Sequence, residues 1–175
     1  MHQLCARWGV HQAHILVTPA YIYVFLRTVR LRMPPATLLY ATANPEGIPN
    51  HQGFYLNPTD IGDMVQQVEQ GSHKGQPIPV HIEHKGVAVG HVVSAWEHAG
   101  RLECVLQLDN TVLEGAIGTE FVRNGMCKDL SLGYTVSLEN SAHGVRAKRK
   151  FLTEISIVKR GARSKCHIHG VSVGP

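Results

Sequence analysis

Lys128-Asp129-Leu130-Ser131-Leu132-Gly133-Tyr134-Thr135-Val136-Ser137-Leu138 alternates apolar residues with small polar ones. A period of two predicts a β-strand whose inner face carries Leu130, Leu132, Tyr134, Val136 and Leu138. Ser131 falls on the opposite face. Gly133, two residues on, shares that face and is expected to leave room for another chain to approach closely, either a substrate or the loop at 161–163. A serine on the outer face of a strand is usually solvated and inert. Ser131 becomes a candidate nucleophile only if the chain also supplies a base and a group to orient that base.

Upstream, Pro77-Ile78-Pro79-Val80-His81-Ile82-Glu83-His84 reads as a strand entered through prolines. Val80, Ile82 and His84 share one face of it, and His81 and Glu83 the other. His84 is thereby expected to turn inward at a strand end, just before Lys85-Gly86, and is the best candidate base. Downstream, Phe151 to Val158 reads as another strand. It contains Glu154, between Thr153 and Ile155, where an unpartnered carboxylate would be costly. Glu154 is the candidate orienting group. Lys159-Arg160-Gly161-Ala162-Arg163-Ser164 follows as a tight basic loop. Gly161 is expected to allow an unusual backbone angle there. The N–H groups of Ala162 and Arg163 could then face an oxyanion, with the Arg163 charge assisting. Each residue also has a plainer reading, as a rim histidine, an outward carboxylate or a solvated hairpin turn. The GxSxG elbow of the hydrolases is absent.

The remaining chain predicts further short strands. Thr37 to Thr42 and Gly53 to Leu56 are β-prone. Val87 to Ala95 forms a strand with Val87, Val89 and Val93 on one side, and Glu97 to Gly100 a turn. Leu102, Cys104, Leu106 and Leu108 alternate to give the next strand, and Cys166 to Val173 forms the last. Two helices are expected. One follows Asn57-Pro58-Thr59-Asp60, with Thr59 as N-cap and Ile61, Met64, Val65 and Val68 on one face. The other lies within Thr111 to Asn124, with Leu113, Ile117, Phe121 and Val122 as its apolar side and Gly125 as its stop. Asn140 to Lys150 reads as a polar turn. This is a mostly β chain with some α (α+β), a compact mixed or antiparallel barrel with flanking helices over residues 37–175. Residues 1–36 read as an N-terminal extension of uncertain structure. The apolar run His14 to Leu26 has a secretory look, but Arg27, Arg30 and Arg32 separate it from the small-residue site Ala41-Thr42-Ala43. Met33 is an alternative start.

A length of 175 residues suits one domain with a real core, and 43% hydrophobic residues with a mean hydropathy of −0.08 indicate a globular chain. The net charge of +4 is mildly basic. It would suit an acidic partner, but no nucleic-acid motif accompanies it, so no specific nucleic acid and no membrane is expected. Cys5, Cys104, Cys127 and Cys166 form no CxxC pair and read as reduced thiols. His167 and His169 share a strand face, yet no third metal ligand is evident. A histidine-bound metal protein is the weakest reading, and no metal or cofactor is expected.

Taken together, these features resemble a known family. Pro77 to His84, followed by Val89-Gly90-His91-Val92, resembles the catalytic-histidine strand of herpesvirus capsid maturation proteases (assemblins), and also that of tailed-phage prohead proteases. Leu130-Ser131-Leu132-Gly133-Tyr134 resembles the nucleophile strand, in its phage form. Glu154-Ile155-Ser156-Ile157-Val158 with Lys159 to Arg163 resembles the strand of the third triad member and the oxyanion loop. The resemblance covers roughly 37–172. It implies a serine endopeptidase that cleaves the internal scaffold protein of an immature capsid, and itself, with His84, Ser131 and Glu154 as the triad. The setting implied is the procapsid interior, in the host nucleus for a herpesvirus or the host cytoplasm for a phage. Herpesvirus enzymes place a second histidine where Glu154 stands, and their paired arginines are reduced here to Ala162-Arg163. The helices of the herpesvirus dimer interface have no counterpart after Glu154, which leaves a homodimer open. The competing reading is a non-catalytic β-barrel that binds a capsid or scaffold component.

Overall fold

A computed structural model of the chain describes residues 36–71, 75–141 and 144–173. The expected extension at 1–36, with its secretory features and alternative start, lies outside them save for Ala36. Seven strands form one mixed sheet: β1 (Ala36–Asn44), β2 (Pro79–Ile82), β3 (Lys85–His98), β4 (Arg101–Asp109), β5 (Asp129–Ser141), β6 (Gly144–Val158) and β7 (Ile168–Val173). Their order is β5-β6-β2-β3-β4-β1-β7. Every pairing is antiparallel except β2 with β6, where Val80, His81 and Ile82 run parallel to Ile155, Ser156 and Ile157. The α+β class agrees with the sequence. The sheet is rolled, but its ladder is not closed. The edge strand β5 meets the residue before the other edge strand, β7, at one isolated bridge, Asp129 with His167. Hydrogen bonds from Leu130 N to Cys166 O (3.1 Å) and from Ile168 N to Lys128 O (2.9 Å) flank that bridge.

The core follows from the alternation. Leu102, Cys104, Leu106 and Leu108 of β4 are fully buried, and they meet Leu39, Ala41 and Ala43 of β1 and Ile155 and Ile157 of β6. Each such leucine contributes about 1.5–3 kcal/mol of transfer free energy. On β3 the buried residues are Val89, as expected, with Val92 and Ala95, while Val87 and Val93 are exposed. A register shift between Val92 and Ser94 turns Ala95 inward, which strict alternation does not foresee.

Helix α1 (Pro58–Glu69) is capped by Asn57 rather than Thr59. The Asn57 side chain accepts from Asp60 N, and the Asp60 carboxylate accepts from Asn57 N, a reciprocal box with Pro58 in the first turn. Ile61 and Met64 enter the core. The outer face of α1 is tied to β6. Lys150 Nζ meets Asp60 at 2.6 Å, and Arg149 pairs with Asp63 and holds that carboxyl below its ordinary value. Helix α2 (Leu113–Arg123) packs through Gly115, Ala116, Gly118 and Thr119, and Leu113 is exposed. Small residues let its backbone approach Val89, Ile82 and Leu108 closely. Gly53 to Leu56 is a loop rather than a strand. Residues 144–150 belong to β6, so the expected polar turn is the outer part of a long hairpin.

Candidate active site

The site forms where β5, β6 and β2 lie side by side. Directly opposed residues of an antiparallel pair present their side chains on one face. In the β5–β6 register Ser131 opposes Ser156, and Gly133 opposes Glu154. The outward face of Leu130 to Gly133 therefore continues into Glu154 and Ser156, while Leu130, Ile155 and Ile157 point into the core. Beyond Gly133 the ladder slips by one residue, leaving Thr153 as a bulge beside Glu154. Gln67 of α1 braces this bulge. Its Oε1 accepts from Leu152 N at 2.7 Å and its Nε2 donates to Lys150 O at 3.3 Å.

His84 arrives from the other side. It does not turn inward at the end of the strand, as its sequence position predicts, but stands half-exposed in the two-residue β2–β3 turn. Glu83 (φ 51°) and His84 (φ 58°) are both left-handed, as a tight hairpin turn demands. Such angles are strained for side chains of this size and persist only where the surroundings enforce them. Here β6 and the residue after it enforce them: Glu83 N donates to Ile157 O (3.0 Å), Lys159 N donates to Glu83 Oε1 (2.8 Å), and His84 N donates to Ser156 Oγ (3.1 Å).

The turn places His84 Nδ1 in contact with Glu154 Oε1. Glu154 Oε2 accepts from Ser156 Oγ at 2.6 Å. The half-exposed imidazole thus meets a carboxylate that is only 17% exposed. Such a carboxylate favours the tautomer with its proton on Nδ1 and leaves Nε2 bare to act as a base. Ser131, 6% exposed, lies beside this pair through its register partner Ser156. Among the described residues no hydrogen bond joins Ser131 Oγ to His84. Nucleophile–base contacts in hydrolases commonly tighten when substrate binds.

Gly133 has a specific steric duty. A Cβ there would stand 2.5 Å from Glu154 Oε1 and 2.6 Å from its Cγ. The glycine gives the Glu154 side chain its path to His84. Gly133→Ala is expected to push the carboxylate off Nδ1 and lower any hydrolytic rate by about tenfold or more, the cost of one misplaced charge-assisted hydrogen bond. The fold should survive, because the atoms displaced are those of a side chain. Kinetics beside a thermal melt check both parts.

The 159–165 loop packs against the start of β5. Gly161 N donates to Asp129 Oδ2 at 3.0 Å. The φ of Gly161 is not left-handed, contrary to the expectation of an unusual angle. A glycine is needed because a Cβ would lie 2.7 Å from Leu130 O, one residue before the candidate nucleophile. Among the described residues the Ala162 N–H makes no hydrogen bond. Arg163 is 3% exposed; its Nη2 donates to Phe54 O at 3.3 Å and its Nε has no partner among the described residues. Burial pushes the Cys166 thiol up to about 12, against the pull of the Arg163 charge and backbone N–H. The Ala162 N–H is thus one free donor of this loop among the described residues.

Three contributors escape a reading of the sequence: Ser156, Asp129 and Glu83. Only Ser156 carried a signal, since it lies two residues after Glu154 and so on the same strand face. Among the described residues no helix is long and apolar enough to cross a membrane.

No family model and no curated protein matches the sequence. Among solved structures the chain is similar to KSHV protease in complex with a hexapeptide phosphonate inhibitor. The identity is 14% and the TM-score 0.51, over 79% of this chain and 66% of that one. At that identity the likeness is one of fold: this chain has the architecture of a herpesvirus protease and spans 66% of the length of the chain it matches. This likeness bears on the herpesvirus half of the sequence resemblance alone.

Proposed function

We propose that the chain is a serine endopeptidase of the capsid maturation type. The observation that carries this reading is the His84–Glu154 pair, set on the sheet face that also holds Ser131. In this mechanism Ser131 Oγ attacks the scissile carbonyl carbon and its proton passes to His84 Nε2. Glu154 stabilises the imidazolium through Nδ1–H. The Ala162 N–H, on the loop pinned by Asp129, supplies a donor to the oxyanion. His84 then gives its proton to the leaving amine, the acyl–Ser131 ester forms, and water attacks it by the reverse route. The substrate proposed is the internal scaffold protein of an immature capsid, with self-cleavage, inside the procapsid.

A peptidyl phosphonate tests the reading, because its phosphorus is attacked only by a serine whose proton has a base to go to. The expected result is one stoichiometric adduct on Ser131, found by mass spectrometry of a digest. No adduct would leave a non-catalytic binding protein as the answer, and an adduct on another serine would overturn the assignment of Ser131.

A further inference from the structure

We infer that Ser156 is a positioning residue that locks Glu154 and His84 into one geometry and one tautomer. The catalytic half of this inference rests on the serine-protease reading; the tautomeric half does not. Ser156 is fully buried at the centre of the site. Its hydroxyl faces three groups: Ser131 across β5, Glu154 two residues back on β6, and the His84 backbone on the β2–β3 turn.

The polarity of the hydroxyl follows from its neighbours. The His84 backbone N–H can only donate, so Ser156 Oγ accepts there. The Glu154 carboxylate can only accept, so the Ser156 proton points to Oε2. One hydroxyl thereby satisfies a donor on the histidine turn and an acceptor on the carboxylate. With Oε2 occupied by Ser156, Oε1 is the oxygen directed to His84 Nδ1. The same hydroxyl restrains the left-handed backbone of His84, whose φ is 58°. An alanine in its place would leave a partly buried N–H and a carboxylate oxygen unpaired together. The carboxylate would then be free to rotate, and the turn free to relax.

The test compares wild type, Ser156→Ala and Ser156→Thr in the full chain, with a hexapeptidyl phosphonate as probe. Ser156→Ala is expected to slow the maximal inactivation rate by about ten- to a hundredfold, the range for losing a hydrogen bond to a charged group, with the inhibitor's dissociation constant unchanged. Ser156→Thr keeps the hydroxyl and should recover that rate to within a few-fold. A simple packing role would not be rescued in this way. The second readout is the ¹⁵N spectrum of the neutral His84 ring. Wild type should show a single tautomer protonated on Nδ1, and Ser156→Ala a mixture. If a thermal melt shows that threonine crowds the site, Ser156→Ala and the ring spectrum decide alone. If wild-type protein forms no adduct, the protease reading fails and the spectrum still decides the role of Ser156. An unchanged tautomer in folded Ser156→Ala overturns the inference, whatever the rates.

Discussion

Ser131→Ala protein should melt as wild type does, take up no phosphonate, and cleave peptide or its own chain more slowly by a factor on the order of 10⁵ or more. The size follows from what the substitution removes. Without the hydroxyl no acyl intermediate can form, and what remains is a bound water near His84 and the donors of the 161–163 loop. The fold should be indifferent, since Ser131 contributes only backbone hydrogen bonds to the ladder, opposite Ser156, and its side chain lies outside the leucine core. A second substitution, His84→Ala, should lower the rate by a similar factor, and the double variant should lose little more, because nucleophile and base act as one unit. Multiplying losses would show that the two do not act together. Unchanged cleavage in Ser131→Ala protein would end the assignment of this serine.

The parts of the fold that the sequence declares are those governed by simple periodicity. Leu102, Cys104, Leu106 and Leu108 stand at every second position of β4 and all four are fully buried, while Val105 between them is only partly so. The inner half of β5 behaves alike through Leu130 and Leu132. Its outer half does not: Val136 is 43% exposed and Leu138 65%. The alternation there is genuine, but the hairpin runs past the edge of the core, and no local pattern says where a core ends. Bulges hide for the same reason. The extra residue at Thr153 depends on the partner strand, and it alone lets Leu152 and Ile155, three residues apart, both point inward. The entry to α1 lies two residues before the expected one because Asn57 and Thr59 are both good caps, and only the reciprocal bond with Asp60 chooses between them.

The candidate site was legible in its residue types and less so in its geometry. His84, Ser131 and Glu154 could be named from strand positions and family resemblance. That His84 occupies a strained turn could not, since Glu-His is not a usual two-residue hairpin sequence. The strain is sustained by long-range contacts from Ile157, Lys159 and Ser156. Glu83 and Asp129 look like ordinary surface carboxylates in the sequence. Each instead accepts a backbone N–H from the segment that follows β6, and together they hold the 159–165 loop between the β2–β3 turn and β5.

Glu154→Gln is the substitution that separates charge from shape. Glutamine is nearly isosteric with glutamate, so Gly133 still leaves it room. Its two terminal atoms are no longer equivalent, however, and the site asks both to accept. One accepts from His84 Nδ1–H and the other from Ser156 Oγ–H. If the amide oxygen faces His84, the NH₂ confronts a hydroxyl whose proton points at it and which already accepts from His84 N. If the oxygen faces Ser156, the NH₂ donates to Nδ1, the ring proton moves to Nε2, and His84 can no longer accept a proton from Ser131. Either arrangement also loses the negative charge that stabilises the imidazolium. The expected loss in kcat is about 10⁴-fold, the scale seen when the carboxylate of a serine-protease triad becomes an amide. Binding of substrate should change little, because the carboxylate acts through His84. Glu154→Asp keeps the charge but shortens the reach to Nδ1, and should fall between glutamine and wild type. A glutamine variant within a few-fold of wild-type kcat would remove Glu154 from the mechanism and leave His84 to be oriented by its turn alone.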